Sequence, residues 1–176
     1  MNYFEFFGLP VQFSIDLTQL RNRYLENSRS FHPDQYSLAD DDKQMEMLEK
    51  SSLNNEAYKV LKDEDSRIKY ALQLEGALGE EGTESIPQEF LMEMMEINEE
   101  LMEIEMEPDP IKVVDIQDQI QEREAIMKSE IETILKDYHS DHPEKSSFLE
   151  KVKDYYLKRR YLLRIQKNLD KFASEF

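Results

Sequence analysis

From about residue 17 almost to its end, the chain repeats apolar residues at steps of three and four, the signature of one helix face turned to a core. Beyond Phe4-Glu5-Phe6-Phe7, hardly any stretch alternates for four residues with β-branched or aromatic types, so the pattern predicts an all-α protein. Residues 1–10 read as a short cap packed through Phe4, Phe6, Phe7 and Leu9, with Gly8 and Pro10 as turn punctuation. Asp16 or Ser14 opens a helix through Leu17, Leu20, Tyr24 and Phe31, and Pro33 stops it by pushing the preceding residue out of helical geometry. After a Ser- and Asp-rich loop to Asp42, a second long helix carries Met45, Leu48, Leu53 (or Ser52), Ala57, Val60 and Leu61. Asp63-Glu64-Asp65 breaks it, and a further helix runs from about Ser66 through Ile68, Ala71, Leu72 and Leu74.

Three of the four glycines fall between Glu75 and Ser85, which marks a linker between two units. Beyond it the spacing predicts helices over about 88–105, 111–138 and 145–172, separated by Pro108-Asp109-Pro110 and by Ser140-Asp141-His142-Pro143. Three long helices on short turns make an antiparallel bundle.

Charge narrows the function. With 22 basic and 39 acidic residues the net charge is −17, a field that repels phosphate backbones and anionic lipid and argues against nucleic-acid and membrane partners. No apolar run approaches the roughly 20 residues of a membrane span, and the first residues lack the pattern of a signal peptide. Cysteine is absent, which excludes disulfides, thiolate metal sites and cysteine nucleophiles. A basic, tyrosine-interleaved stretch holds Lys158, Arg159, Arg160, Arg164 and Lys167. In so acidic a chain it is expected to pair with acidic neighbours, the Glu-rich first bundle helix being the candidate, rather than with nucleic acid. His139-Ser140-Asp141-His142 lacks a third strong ligand and reads as a turn rather than a zinc site.

Two features carry functional chemistry. The first is Phe31-His32-Pro33-Asp34, a proline stop between two amphipathic helices that leaves His32 and Asp34 on a turn a partner could read. Taken alone, the tripeptide is first of all helix-stop punctuation. Nothing supports an acid/base pair here, since no nucleophile motif accompanies it, and the chain is expected not to be an enzyme. The second feature is a helix with two apolar faces. Phe90, Met94, Ile97, Leu101 and Ile104 form the core stripe, and Leu91, Met95, Met102 and Met106 cluster about 120° away, with Met92 just beyond. Glu96, Glu99 and Glu103 edge this second face. An apolar surface rimmed by charge suits an adaptable partner contact, although methionines at helical spacing are as readily core.

Context extends both readings. The run from Leu20 through Asp34, followed by Leu53-Asn54-Asn55-Glu56-Ala57-Tyr58-Lys59-Val60-Leu61-Lys62-Asp63, and by Arg67, Ile68, Tyr70 and Ala71, resembles a J domain. Phe90 to Glu105 and the opening Asn2 to Pro10 are similar to the HscB/Jac-type J-domain co-chaperones of iron–sulfur cluster assembly. That resemblance implies an N-terminal J domain over 1–76, an antiparallel helical hairpin with short flanking helices. A linker would follow over 77–86, and a C-terminal three-helix scaffold-binding domain over 87–176.

It also implies a co-chaperone that stimulates a DnaK/HscA-type chaperone ATPase and delivers an IscU-type iron–sulfur scaffold protein to it. Chaperone contact would fall to His32, Pro33 and Asp34 with Arg21, Arg23 and Arg29. Scaffold contact would fall to Leu91, Met92, Met95, Glu96, Glu99, Glu103 and Tyr161. No metal or cofactor is implied, and the alternative is a different client or weak self-association through the bundle. Gln35 stands where lysine is common, and Asn22 and Glu26 thin the positive stripe, so the chaperone docking is expected to be weaker or more specialised. The cysteine-rich N-terminal site and transit peptide of some eukaryotic relatives are not seen, which fits a bacterial cytoplasmic protein or one of the mitochondrial matrix after transit-peptide removal.

Overall fold

The computed structural model describes residues 1–79 and 84–173, and among these every regular element is helical. In order they are α1 (Tyr3–Phe6), α2 (Leu17–Ser30), a 3-10 turn (Pro33–Tyr36), α3 (Asp41–Lys62), α4 (Glu64–Leu74), α5 (Gln88–Glu93), α6 (Met95–Met106), α7 (Pro110–Asp137) and α8 (Lys145–Ala173). The all-α expectation holds. The helices group into two compact units, Met1–Glu75 with Lys136–Lys145, and Gly76–Leu135 with Ser146–Phe176. Residues 80–83 of the expected linker and 174–176 of the expected second domain lie outside the described residues.

The first unit also takes in a segment that the sequence places in the second. Tyr138 packs its ring 4.6 Å from that of Phe13, Lys145 pairs with the Glu75 carboxylate at 2.5 Å, and the Ser140 hydroxyl donates to the same carboxylate at 3.0 Å. Burial pushes the Glu75 carboxyl up, but Lys145, Tyr138 and Ser140 outweigh it and hold the group below its ordinary value. The Tyr138 hydroxyl lies beside that carboxylate without a well-aligned hydrogen bond, and burial together with Glu75 drives its own pKa upward.

The hairpin of α2 and α3 forms the frame of this unit. Asp16 caps α2 by accepting from the Thr18 and Gln19 amides, and Asp40 caps α3 by accepting from Lys43. Inside, Leu20, Met47, Ala57, Leu61, Ile68 and Leu72 close a core with Phe4, Phe7 and Phe13. Four positions expected in that core are not there: Leu17 and Leu74 are exposed, and Met45 and Leu48 of α3 are 59% and 52% exposed. The inward face of α3 runs instead through Met47, Asn54, Ala57 and Leu61. A buried asparagine interrupts the apolar pattern and makes the neighbouring stripe look like the core.

Asn54 is satisfied on its donor side, giving hydrogen bonds to the Tyr24 carbonyl at 3.1 Å and the Ser28 hydroxyl at 3.0 Å. Arg67 is also buried. Its guanidinium donates to the carbonyls of Phe13 at 2.8 Å and Leu61 at 2.6 Å, which ties α4 to the preceding loop and to the end of α3.

In the second unit, α6, α7 and α8 supply the core through Ile97, Ile104, Val113, Ile116, Ile120, Val152, Leu162, Ile165 and Leu169. The single helix expected over 88–105 is two, α5 and α6, interrupted at Met94, whose backbone has ψ near 0°. At the break the Met94 carbonyl accepts twice from Asn98, from its backbone amide at 2.9 Å and from its side-chain amide at 2.7 Å. Two of the basic residues of α8 find carboxylates elsewhere than on α6, Lys158 pairing with Asp154 at 2.6 Å and Arg159 with Glu124 at 3.7 Å. The acids Glu93 and Glu103 pair instead with Arg123 and Lys112 of α7.

Candidate functional site

In the first unit the turn after α2 is built by local hydrogen bonding. Phe31 ends α2 with its amide still donating to Asn27, and His32 adopts extended geometry ahead of Pro33, as a pre-proline residue must. His32 then caps the 3-10 turn, its Nδ1 accepting from the Asp34 amide at 3.3 Å. The Gln35 amide donates to the His32 carbonyl at 3.0 Å, and the Tyr36 hydroxyl reaches back to the Ser30 carbonyl at 2.7 Å, closing the turn on the helix it follows.

The result is a fixed backbone with outward side chains. His32 and Asp34 expose 57% and 90% of their side chains, 3.6 Å apart at Nδ1 and Oδ2. Pro33 is exposed between them. Proline at the first position of the turn fixes its own φ without losing a needed donor.

The three arginines expected beside this turn divide. Arg21 and Arg29 are exposed on α2, and Arg21 lines a groove with Leu17, Leu25, Tyr58 and Lys62. Arg23 differs. It is half-buried and donates through Nη1 to the Phe7 carbonyl, so it holds the N-terminal cap against α2 instead of presenting a free guanidinium. Gly8 follows that carbonyl at φ +61°, and a Cβ there would stand 3.1 Å from Arg23 Nη1. Along the same hairpin the rings of Tyr24 and Tyr58 stack at 4.1 Å, and the Tyr24 hydroxyl donates to Asn55 at 3.0 Å.

The second unit offers an apolar face. Phe90, Met94, Ile97 and Ile104 are buried, whereas Leu91, Met92, Met95, Met102 and Met106 are exposed, Met92 by 64% and Met95 by 56%. Glu96, Glu99 and Glu103 are exposed along the same helices. Tyr161 stands apart from the expected group. Only 8% exposed, it sets its ring edge-on to Phe90 at 5.6 Å and shares hydrogen bonds of 2.8 and 3.1 Å with the Asn98 amide. It therefore braces the helix behind the methionine face rather than forming the face. Asn98 was not singled out by the sequence; a polar residue on the border between two apolar stripes was the available signal.

No three His, Asp or Glu side chains cluster as a metal site among the described residues. His139 and His142 set their rings 5.1 Å apart on a turn. No helix among the described residues is long and apolar enough to cross a membrane.

Comparison with known proteins places these features. Residues 86–170 match the family model described as the HSCB C-terminal oligomerisation domain. The chain is 41% identical over 112 residues to a Co-chaperone protein HscB homolog of Vibrio atlanticus, covering 62% of this chain and 65% of that protein. It is 43% identical over 106 residues to the homolog of Vibrio vulnificus, covering 59% and 61%. The matched stretch thus spans less than two thirds of the length of these relatives.

Among solved structures, chaperone HscB from Vibrio cholerae superposes with a TM-score of 0.71 at 25% identity over 99% of both chains. The human co-chaperone protein HscB gives 0.76 at 25% identity, over 100% of this chain and 84% of that one. Superposition over essentially the whole chain agrees with the helical hairpin and the helical bundle built above, and in sequence and fold the chain is similar to the HscB co-chaperones.

Proposed function

We propose that the chain is an adaptor without chemistry of its own, which stimulates a DnaK/HscA-type chaperone ATPase and brings an IscU-type iron–sulfur scaffold protein to it. The observation that carries the reading is the exposed, proline-fixed turn that presents the His32 imidazole and the Asp34 carboxylate. These are the groups by which the J-domain resemblance assigns the triggering role, and Arg21 and Arg29 add exposed positive charge on the adjacent helix. Opposite charges at such a surface steer encounter and fix orientation more than they add affinity. The methionine face with Glu96, Glu99 and Glu103 supplies a separate surface for the scaffold. Unbranched thioether side chains adapt to an irregular partner. Holding the chaperone and the scaffold on one chain raises the concentration of each around the other.

The test is single-turnover ATP hydrolysis by the chaperone with wild-type chain and with His32→Gln. The substitution is expected to abolish stimulation while scaffold affinity stays at the wild-type value. Equal stimulation by His32→Gln refutes the triggering role.

The matching model's description as an oligomerisation domain favours a second reading, in which a second copy covers the methionine face. Sedimentation of the chain alone and with the scaffold separates the two. A dimer that persists undiminished while no scaffold binds supports this second reading.

A further inference from the structure

Every carboxylate rim so far described for the methionine face lies on α6, yet the other border of that face is basic. Asn98 sits on α6 between Met95, three residues before it, and Met102, four residues after, positions that share one side of a helix. Its amide is hydrogen-bonded to the Tyr161 hydroxyl, which brings α8 to that border. On α8, Arg164 places its guanidinium carbon 5.2 Å from the centre of the Tyr161 ring. Arg164 is exposed, and its charge meets no carboxylate among the described residues. Stacking on an aromatic ring holds a planar guanidinium in place while leaving its edge donors unspent.

The methionine face is therefore bordered on one side by Glu99 and the Lys112-paired Glu103, and on the other by a pre-positioned arginine beside Asn98, with the exposed Glu105 two turns further along that edge. In a chain of net charge −17 that asymmetry is a local exception with a fixed address.

We infer that Arg164 is a specificity-determining residue of the methionine face, donating to a carboxylate on the scaffold protein, so that the scaffold surface presents an acid at one edge of an apolar patch and bases at the other. This rests on the scaffold-binding reading above. A two-signed rim admits one orientation of the partner, because rotation by half a turn places like charges together. The guanidinium fork suits a carboxylate, which it can engage with two parallel hydrogen bonds.

The experiment is calorimetric titration of purified IscU-type scaffold protein into the full chain and into Arg164→Glu, Arg164→Gln, Arg164→Lys and Met95→Ala, at two salt concentrations. Thermal unfolding checks each variant, and Arg164→Gln carries the test should Arg164→Glu fail to fold. Arg164→Glu is expected to weaken binding by about tenfold or more and Arg164→Gln by less, with Arg164→Lys, which keeps the charge but loses the fork and the stacking, falling between Arg164→Gln and wild type. The loss should shrink at the higher salt concentration, since exposed charges are screened.

Weakening by Met95→Ala with none by Arg164→Glu overturns this inference and leaves the scaffold reading standing. No binding by the wild-type chain overturns both. Unchanged scaffold affinity in Arg164→Glu, with loss of self-association in sedimentation, assigns the arginine to a second copy and likewise overturns it.

Discussion

Replacing Met92 and Met95 together by alanine separates a binding surface from a structural one, because the two roles predict opposite results in two simple assays. With 64% and 56% of their surface open, the pair exposes a little more than one whole methionine. Completing the burial of one methionine side chain is worth about 1.5–3 kcal/mol. A partner that covers both residues gains about that much, and truncation to alanine forfeits most of it, a loss of roughly 10- to 100-fold in affinity. The same exposure means that the folded chain loses little of its own packing, so the double variant is expected to unfold within about 0.5 kcal/mol of wild type. Calorimetric titration with the IscU-type scaffold and denaturant unfolding measure the two quantities. Unchanged affinity in a normally folded variant refutes the assignment of this face to the scaffold. Loss of several kcal/mol of stability refutes the claim that the methionines are unpartnered in the isolated chain.

Other expectations concern what holds the J-domain hairpin in shape. Arg67→Met leaves the Phe13 and Leu61 carbonyls without their charged donor and should cost about 3 kcal/mol or more in denaturant unfolding; a loss below 1 kcal/mol contradicts the role given to this buried guanidinium. Gly8→Ala forces a side chain into left-handed geometry and against Arg23, and should destabilise by about 1–2 kcal/mol, seen as a lower urea midpoint at constant slope. The depressed Glu75 carboxyl stabilises the fold above its ordinary value of 4.5, and that contribution is lost as pH falls through the lower folded value. Glu75→Gln should therefore unfold more readily at pH 7 and lose less stability between pH 5 and 3 than wild type. A parallel pH dependence of the two proteins argues against the Glu75–Lys145–Ser140 cluster.

Legibility in the sequence followed the strength of local signals. Asp16, Pro33 and Pro108 to Pro110 have fixed local consequences, and the helix boundaries near them come out within a few residues. The exposure of the His32–Asp34 turn was readable because a pre-proline residue ends a helix whatever surrounds it. The exposed methionines were visible as a surplus stripe beside the core stripe, although the sequence left open whether that second stripe is also packed away. Polar residues with tertiary partners were not legible. Asn54 shifted the apparent core of α3 toward Met45 and Leu48, and Asn98, drawn only as part of a continuous helix, is held by Tyr161 of α8. Arg23 and Tyr161 were assigned to surfaces by position, whereas a backbone carbonyl and a side-chain amide from distant residues draw them inward. Such hydrogen bonds join residues far apart in the chain, and no local pattern encodes them.

The adaptor claim is tested most directly by measuring the chaperone's ATP hydrolysis as the scaffold is titrated at low, fixed chaperone concentration, with and without the chain. Tethering predicts that the chain both raises the maximal rate and lowers the scaffold concentration needed for half of it, and that Met92→Ala with Met95→Ala removes only the second effect. Stimulation that leaves the scaffold requirement unchanged would contradict delivery and reduce the chain to an ATPase trigger.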